Sequence, residues 1–517
     1  MARWNPHPKR SDRLRAGVPL GLLLASLARP ALAEDAATSP ELGMDPALPQ
    51  NAPLPGGMAP AFGVPSDKAS DWRFDFHGIL TAPLRAGLNT RDNPRPGQSE
   101  TVLHAPPVVP DDLETFSHTG VVPMPFAQIN FSYGNNIVTG TVSLLARQDS
   151  TSTSYFDPSA QMGINDVFVT INVPGLPKNL SLKVNAGAFS SRYGATGEYD
   201  LGRYGTPLIG TINGVGEKIS AGIGLGDDFN IQLEQGFQGS SNRPGGGITP
   251  DAWNGWADQR VGGGLANHLH AGISYRRLAT LAGHYIMAFT QDERASLDYP
   301  DGKIRVTAAD LRLNLARFGH FYAAYSHVKA RYATSVGRLL EVLNTRGGGG
   351  LDDNYFCTLS VGCGTGNGKL DIVGGQYDLS IGRLVSYPVA FLPDGPDVFV
   401  SLFGMYTAVS SPLAHNDGVK KLKYGVEATY SLLPWLAVSG RYDRVTPDMD
   451  DERYSFAVLS PRVIFRTNWD SHDQVVLQYS RWFNGSRTTV RTGTPPHEDV
   501  TIVPDENMIS LSASMWW

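Results

Sequence analysis

Apolar and polar residues alternate with a period of two along most of the chain after residue 71. One run reads Lys-Leu-Lys-Tyr-Gly-Val-Glu-Ala-Thr-Tyr over residues 421–430, and another reads Asp-Val-Phe-Val-Thr-Ile-Asn-Val over residues 166–173. Segments of about ten residues with this period predict β-strands that have one apolar and one polar face. The same pattern excludes a bundle of transmembrane helices, which needs runs of about 20 apolar residues.

The connections between these segments mostly alternate between long and short. We expect about 18 strands between residues 71 and 517, with short junctions at 134–135, 226–228, 277–278 and 433–434 and long connections at 89–119, 149–163, 190–216, 239–263, 334–368 and 486–505. Three connections break the rule, at 383–395, 410–419 and 447–452. A soluble β-sandwich gives no reason for such parity, whereas a membrane-spanning barrel has long loops on one side only. The pattern therefore favours a closed barrel.

The N-terminus has the features of an export signal. Five basic residues between Arg3 and Arg15 precede an apolar core at residues 19–28, and Ala31-Leu-Ala33 follows as a small-residue cleavage site. We predict a signal peptide over residues 1–33, with an uncleaved anchor as the alternative. Residues 34–70 are rich in Pro and Ala, which predicts a flexible periplasmic linker.

Removal of the leader makes the chain more acidic. Residues 1–33 contain six Lys/Arg and one acid, so the mature chain keeps 37 basic and 48 acidic side chains and a formal net charge of −11. A nucleic-acid partner is excluded on charge, since no basic run or nucleic-acid module is present. The sequence also contains no G-x-S-x-G, H-E-x-x-H or Walker A motif. We expect no enzymatic activity and no cofactor.

The last strand completes the pattern. Residues 508–517 place Ile509, Leu511, Ala513, Met515 and Trp517 on one face, with an aromatic residue at the C-terminus. With the signal peptide, the even strand number and the loop parity, this strand resembles the porin-type outer-membrane β-barrel proteins of Gram-negative bacteria. The resemblance covers about residues 71–517.

The resemblance implies an all-β fold, a transmembrane antiparallel β-barrel of about 16–18 strands, located in the outer membrane of a Gram-negative bacterium. Such a barrel is too wide for side chains to fill, so we expect a water-filled lumen with a polar inner face. The implied function is passive diffusion of small hydrophilic solutes or ions. Outer-membrane lipid and lipopolysaccharide are the implied surroundings, and a homotrimer is among the assemblies allowed. The alternatives are an outer-membrane barrel enzyme of the lipid-hydrolase type and a structural or adhesive barrel.

The third long connection is the candidate pore constriction. In general porins the third loop folds into the lumen, and this Gly-rich segment has that ordinal position. Charged and aromatic side chains of such a loop set selectivity in a pore. The alternative is a loop that only covers the outer mouth. The candidate constriction residues are Arg192, Tyr193, Glu198, Tyr199, Asp200, Arg203 and Tyr204.

Basic residues recur on strand faces that we expect to line the lumen, opposite the acids of the third loop. They would form a transverse electric field, and the alternative is a mixed-charge lumen without order. The predicted lumen-facing basic residues are Lys183, Arg312, Lys329, Arg331, Lys423 and Arg441.

Cys357 and Cys363 are the two cysteines of the chain. Because an exported protein meets oxidising conditions, we predict a disulfide between them in the sixth long loop, with a catalytic thiol as the alternative.

Two side-chain clusters raise the question of metal binding. One consists of His268, His270 and His284 on neighbouring strands, and the other of Asp448, Asp450, Asp451 and Glu452 in a short outer loop. Imidazole suits zinc or copper, and carboxylates suit calcium or magnesium that bridges lipopolysaccharide. A polar lumen lining is the simpler explanation of the first cluster and a solvated loop that of the second, so we predict no metal site.

Overall fold

The computed structural model describes residues 68–88, 122–150, 159–195, 208–226, 228–239, 264–276, 278–290, 302–331, 343–345, 367–385, 397–411, 417–450, 455–468, 472–484, 486–491, 497–502 and 506–517. The predicted signal peptide and nearly all of the predicted linker lie outside these residues, so both stay predictions. No helix in the described ranges is long and apolar enough to cross a membrane.

Antiparallel β-strands make up nearly all of the described chain. Their bounds are β1 (Arg73–Leu88), β2 (Val122–Gly134), β3 (Val138–Ser150), β4 (Ser159–Asn172), β5 (Leu180–Ala195), β6 (Leu208–Leu225), β7 (Phe229–Gly239), β8 (Gly264–Tyr275), β9 (Ala279–Thr290), β10 (Lys303–Asn314), β11 (His320–Arg331), β12 (Leu343–Thr345), β13 (Gly368–Ser380), β14 (Asp397–Ser410), β15 (Lys420–Leu433), β16 (Leu436–Thr446), β17 (Phe456–Phe465), β18 (Asp473–Asn484), β19 (Ser486–Arg491), β20 (His497–Ile502) and β21 (Glu506–Trp516).

Eighteen of these strands form one closed ring, so the prediction of a closed antiparallel barrel is confirmed. Each ring strand pairs with its sequence neighbours, β11 pairs directly with β13, and β18 pairs with β21. The ring closes where β1 pairs with β21, through a register that runs from Ile79↔Trp516 to Leu88↔Asn507. The last residue extends this seam, because the backbone N–H of Gly78 donates to Trp517 O at 3.0 Å and the N–H of Trp517 donates to Gly78 O at 3.1 Å.

The two ends of the barrel differ as the loop parity predicted. One end holds the first and last strand ends and tight turns, and the first of these turns is stabilised by Asn135, whose Oδ1 accepts from the N–H groups of Ile137 and Val138 at 2.9 Å each. The other end, called here the loop-rich end, holds most of the long connections. The long connection at the tight-turn end begins with a short helix α1 (Ile381–Val385).

The outer face of the ring is apolar. Large apolar side chains such as Leu233, Leu281 and Leu477 are exposed there although they lie mid-strand. Aromatic pairs lie near the tight-turn end, with Phe229 and Tyr275 at 4.9 Å between ring centroids and Trp435 and Phe465 at 6.5 Å. Exposed tyrosines lie nearer the loop-rich end: Tyr285, Tyr325, Tyr424, Tyr442 and Tyr479.

Three described strands lie outside the ring and were not predicted. β19 and β20 form a separate hairpin within the connection expected at residues 486–505. β12 lies within the connection expected at residues 334–368 and pairs with β6, a strand that is distant along the ring. Two connections that the sequence pattern predicted to be loops therefore contain β-strands.

We expect a disulfide to form across the seam that closes the ring. Ala82 and Ala513 are directly opposite in the β1–β21 register and both are exposed on the outer face. In a background with Cys357→Ser and Cys363→Ser, the pair Ala82→Cys and Ala513→Cys should link on mild oxidation, because opposed residues meet the distance for a disulfide.

The matched control is Ala82→Cys with Ile509→Cys. Ile509 lies opposite Ala86, about 13 Å along the strand from Ala82, so this pair should stay reduced. Peptide mapping by mass spectrometry measures both, and linkage of the control pair alone would contradict the register.

Candidate functional site: an inward-folded hairpin in the lumen

The hairpin of β5 and β6 leaves the barrel wall at the loop-rich end. The pairing of β4 with β5 ends at Val167↔Ala188, whereas β5 continues with β6 to Ala195↔Leu208. On the other side, β6 pairs with β7 only from Val215 onward. The upper part of this hairpin is therefore separate from both neighbouring strands of the ring.

Glycine allows the hairpin to diverge. Gly187 has φ +132°, and a Cβ there would lie 2.3 Å from the carbonyl oxygen of Val167. A Cβ at Gly216 would lie 1.9 Å from the carbonyl oxygen of Phe237. Since no other residue type fits these close backbone approaches, the two glycines permit the bend where β5 and β6 leave the wall.

The free part of the hairpin crosses the lumen. β5 contacts β10 and β11, which lie five and six positions away along the ring. A contact between such distant ring strands is made through the interior. β12 adds a third strand to the hairpin, with Leu343 opposite Ile212 and Thr345 opposite Gly210. We call this unit of β5, β6 and β12 the inward sheet.

A polar ladder runs along the inner wall from β6 to β10, on the side that the inward sheet contacts. Ser220 donates to Glu234 at 2.9 Å, and His284 Nε2 lies 2.9 Å from Asp310 Oδ2. Between them, the rings of His270 and His284 are stacked at 4.6 Å between centroids, and His268 Nε2 lies 3.3 Å from His284 Nδ1.

Tyr193 brings the inward sheet to this ladder. Its ring centroid is 6.3 Å from that of His284, and its side chain is buried. The three histidines predicted to lie close together do so. No group of ligands arranged to hold a metal ion occurs in the described part of the chain.

The inner face of the loop-rich half is apolar, which corrects the expectation of a polar lumen throughout. Inward side chains of β8–β11, β13, β14 and β16–β18, with Val419 just before β15, form one buried cluster with Tyr193 and Ile212 of the inward sheet. Val306, Val328 and Ile372 are fully buried although they point into the barrel. At β10 and β11 the physical reason is that β5 of the inward sheet packs against the wall, so Val306 and Val328 meet protein rather than water.

The inner face of β15, β16 and β17 is charged around mid-strand. Arg441 donates to both carboxylate oxygens of Asp443, through Nε at 2.7 Å and Nη2 at 3.0 Å. Glu427 lies between Arg441 Nη1 at 3.6 Å and Arg462 Nη2 at 3.1 Å. Lys423 is fully buried on the same face. This wall presents alternating cations and acids to the interior.

The structure places four predicted lumen-facing basic residues on the inner face. Lys423 and Arg441 belong to the charged wall, Lys183 shares an inner face with Asn185, and Arg312 lies 3.7 Å from Asp310 on the inner face of β10.

Lys329 and Arg331 are a correction, because they lie on the outer face with the exposed Tyr325. The inner face of β11 at this height is taken by the apolar Val328 and Ala330, which pack against inserted chain.

Most of the candidate constriction residues fall outside the described residues. Tyr193 lies in the lumen, and Arg192 pairs through its backbone with Thr211 on the inward sheet. The remaining ones, which the structure does not describe, are Glu198, Tyr199, Asp200, Arg203 and Tyr204. Cys357 and Cys363 also lie outside the described residues, so the disulfide stays a prediction.

Sequence reasoning missed the partners that join the wall residues. Glu234, Asp310 and Arg462 are inward by the alternation of their strands. Their cross-strand neighbours depend on the register, however, which alternation alone does not fix. For β12, three residues in a long connection carry no periodic signal.

Comparisons with known proteins give likenesses to solved outer-membrane proteins. No protein-family model and no curated protein matches the chain. Pseudomonas aeruginosa OprD is 8% identical, with 89% of this chain and 99% of that chain covered and a TM-score of 0.36. Acinetobacter baumannii OccAB3 is 11% identical, with 86% and 100% covered and a TM-score of 0.35.

Vibrio cholerae OmpT, in its trimer form, is 10% identical, with 87% of this chain and 100% of that chain covered and a TM-score of 0.32. Likeness at this level transfers no residue roles. By its own strand pairings, the chain is an 18-stranded closed antiparallel barrel of porin-type architecture.

Removal of Arg441 should destabilise the barrel strongly. Arg441→Ala removes the cation 2.7 Å from Asp443 and one of the two cations beside Glu427, and loss of one partner of a buried ion pair costs about 3–5 kcal/mol. Urea unfolding in detergent, followed by the gel shift between folded and unfolded forms, measures the change. The double variant Arg441→Gln with Asp443→Asn removes both charges and should recover much of the loss, so equal destabilisation of the two would contradict this account.

Proposed function

We propose that the chain is an outer-membrane diffusion channel for small hydrophilic solutes or ions. The observation that carries this proposal is the closed ring whose outer face is apolar and whose inner face presents a polar ladder and a charged wall. A barrel with this division of faces suits lipid outside and polar solutes inside.

Lipid explains the outer face. The bilayer core offers no hydrogen bonds, so only a structure that pairs every backbone group can span it, and a ring without edges does this. An apolar belt between aromatic residues at two levels is the arrangement expected of a barrel that spans a bilayer. We therefore propose the outer membrane of a Gram-negative bacterium as the location, and a homotrimer stays a prediction.

The inward sheet supports a constricted channel. It spans the lumen from the wall at β5 to the wall at β10 and β11, so solutes must pass beside it. The predicted constriction segment joins its two long strands, between Ala195 and Leu208. We propose that Glu198 and Asp200 in this segment face the passage with Arg192, Tyr199, Arg203 and Tyr204 and set ion preference, and that the buried Tyr193 holds the inward sheet against the wall.

We expect the purified barrel to form open channels in planar lipid bilayers. Stepwise ohmic currents in molar KCl, with a conductance that scales with salt concentration, are the expected result for a water-filled pore. A barrel enzyme or an adhesive barrel would insert into the bilayer without producing stepwise currents. Correctly folded protein that incorporates and never conducts would contradict the proposal.

Neutralising the two loop acids should shift selectivity toward anions. In a narrow pore a carboxylate attracts cations, and the low-dielectric walls strengthen its field. The pair Glu198→Gln and Asp200→Asn should move the reversal potential toward the anion value in a dilute salt gradient, and less at high salt, because the screening length falls from about 10 Å at 0.1 M to about 3 Å at 1 M.

Deletion of residues 195–201 should raise single-channel conductance, because it removes chain from the passage. The matched control is Glu217→Gln, an acid on the outer face of β6 that should change neither measurement. If neither loop variant differs from the wild type, the segment lies outside the conduction path.

A further inference from the structure

A set of basic side chains lies on the outer face of three adjacent ring strands at the loop-rich end. The strands are β10, β11 and β13, and the residues alternate with inward apolar positions. Four of the five side chains are exposed and the fifth is half-buried. We call the set the basic patch, which consists of Lys303, Arg305, Lys329, Arg331 and Lys369.

The strand register brings like charges together. Lys329 lies directly opposite Arg305 on one side and directly opposite Lys369 on the other. Lys303 and Arg331 are opposite each other in the next row. Adjacent strands are about 4.8 Å apart, and like charges in directly opposed positions are destabilising. The arrangement is favourable only where anions lie between the side chains.

The protein itself supplies little of that negative charge. Within the described ranges, Arg305, Lys329 and Lys369 form no salt bridge. The acid in the row below is Asp371, which lies 2.8 Å from His327 Nδ1 and accepts from Tyr325 Oη at 2.7 Å. For Arg305, Lys329 and Lys369 the described part of the chain therefore supplies little compensating charge, which leaves room for an anion from outside.

A second copy of this chain is a poor source of that anion. On the described ring strands, the outward acids are Glu217, Asp371 and Asp473, which lie on three separate strands. They form no acidic row that could pair with the basic side chains on three adjacent strands. Charge complementarity favours an occupant with closely spaced negative groups.

The height of the basic patch identifies the occupant. Tyr325 is an exposed aromatic residue of the upper level, and Lys329 follows it by four residues on the same face. Four residues of a tilted strand rise about 10 Å along the barrel axis. If the tyrosines mark the edge of the hydrocarbon, the basic patch lies among the lipid head groups of the leaflet at the loop-rich end.

We propose that the basic patch binds the phosphate groups of lipopolysaccharide in the outer leaflet. This inference rests on the proposed location in the outer membrane, where the loop-rich end faces outward. Phosphates on one glycolipid head group provide the closely spaced anions that two rows of opposed cations require. Arg305 and Lys329 form the centre of the site. Lys369 extends it to the next strand, and Lys303 and Arg331 extend it to the next row.

The test is titration of the full-length barrel in detergent with a fluorescent, deep-rough lipopolysaccharide that keeps its phosphates. The variant Arg305→Gln, Lys329→Gln and Lys369→Gln should weaken binding about 100-fold, since each cation near an anionic lipid surface contributes roughly a fivefold factor. The matched control removes three outward cations that do not lie directly opposite one another: Lys420→Gln, Arg444→Gln and Arg481→Gln. The control should bind close to the wild-type level.

Several outcomes would overturn the inference. Equal weakening in the two triple variants would show a general effect of charge, and equal affinity for phosphatidylglycerol would show a general anionic-lipid surface. Dephosphorylated lipopolysaccharide that binds as tightly as the intact form would also contradict it. A change of oligomeric state in the patch variant, with unchanged lipopolysaccharide binding, would assign the basic patch to a subunit interface.

Conductance of the same preparations separates this inference from the proposed function. If the channels conduct normally but the two triple variants bind lipopolysaccharide equally well, the binding-site inference is wrong and the proposed channel function stands. If lipopolysaccharide binding depends on the basic patch but the barrel never conducts, the proposed channel function is wrong and the binding site stands.

Discussion

Backbone hydrogen bonding around a closed ring is the constraint on which the rest of the structure depends. Each ring strand has a partner on both sides, and the seam between β1 and β21 ends with the reciprocal bonds between Gly78 and Trp517. A ring has no free edges, so its outer face can be fully apolar without inviting further strand pairing. The division between an apolar outside and a functional inside follows from that closure.

The alternation of residues predicted the barrel because one rule holds along much of most ring strands. There the outer face is apolar, so Tyr424 and Val426 are outward while Lys423 and Glu427 are inward. Strand number, loop parity and the facing of Arg441 all follow from this rule. Strand register and inserted segments could not be predicted, because they depend on contacts between residues that are distant in sequence.

The same rule inverts at the loop-rich end, which explains the error at Lys329 and Arg331. Inserted chain covers the inner face there, so Val328 and Ala330 are the inward residues of β11. The outer face has passed beyond the apolar belt and meets polar surroundings. The hydropathy of a residue indicates whether its side chain contacts water. It shows whether the side chain faces the lumen or the outer surface only where the location of water is known. A charged residue near a strand end therefore says little about the lumen.

The pairing of β12 with β6 joins two connections that are far apart in sequence. Leu343, Asn344 and Thr345 lie opposite Ile212, Thr211 and Gly210, so the segment after β11 and the hairpin in the lumen share one small sheet. Backbone ladders are stiff across their hydrogen bonds, and a displacement of one strand carries its partner with it. A displacement of β12 would therefore be passed to β6 through this ladder, which couples the two connections mechanically at the inward sheet.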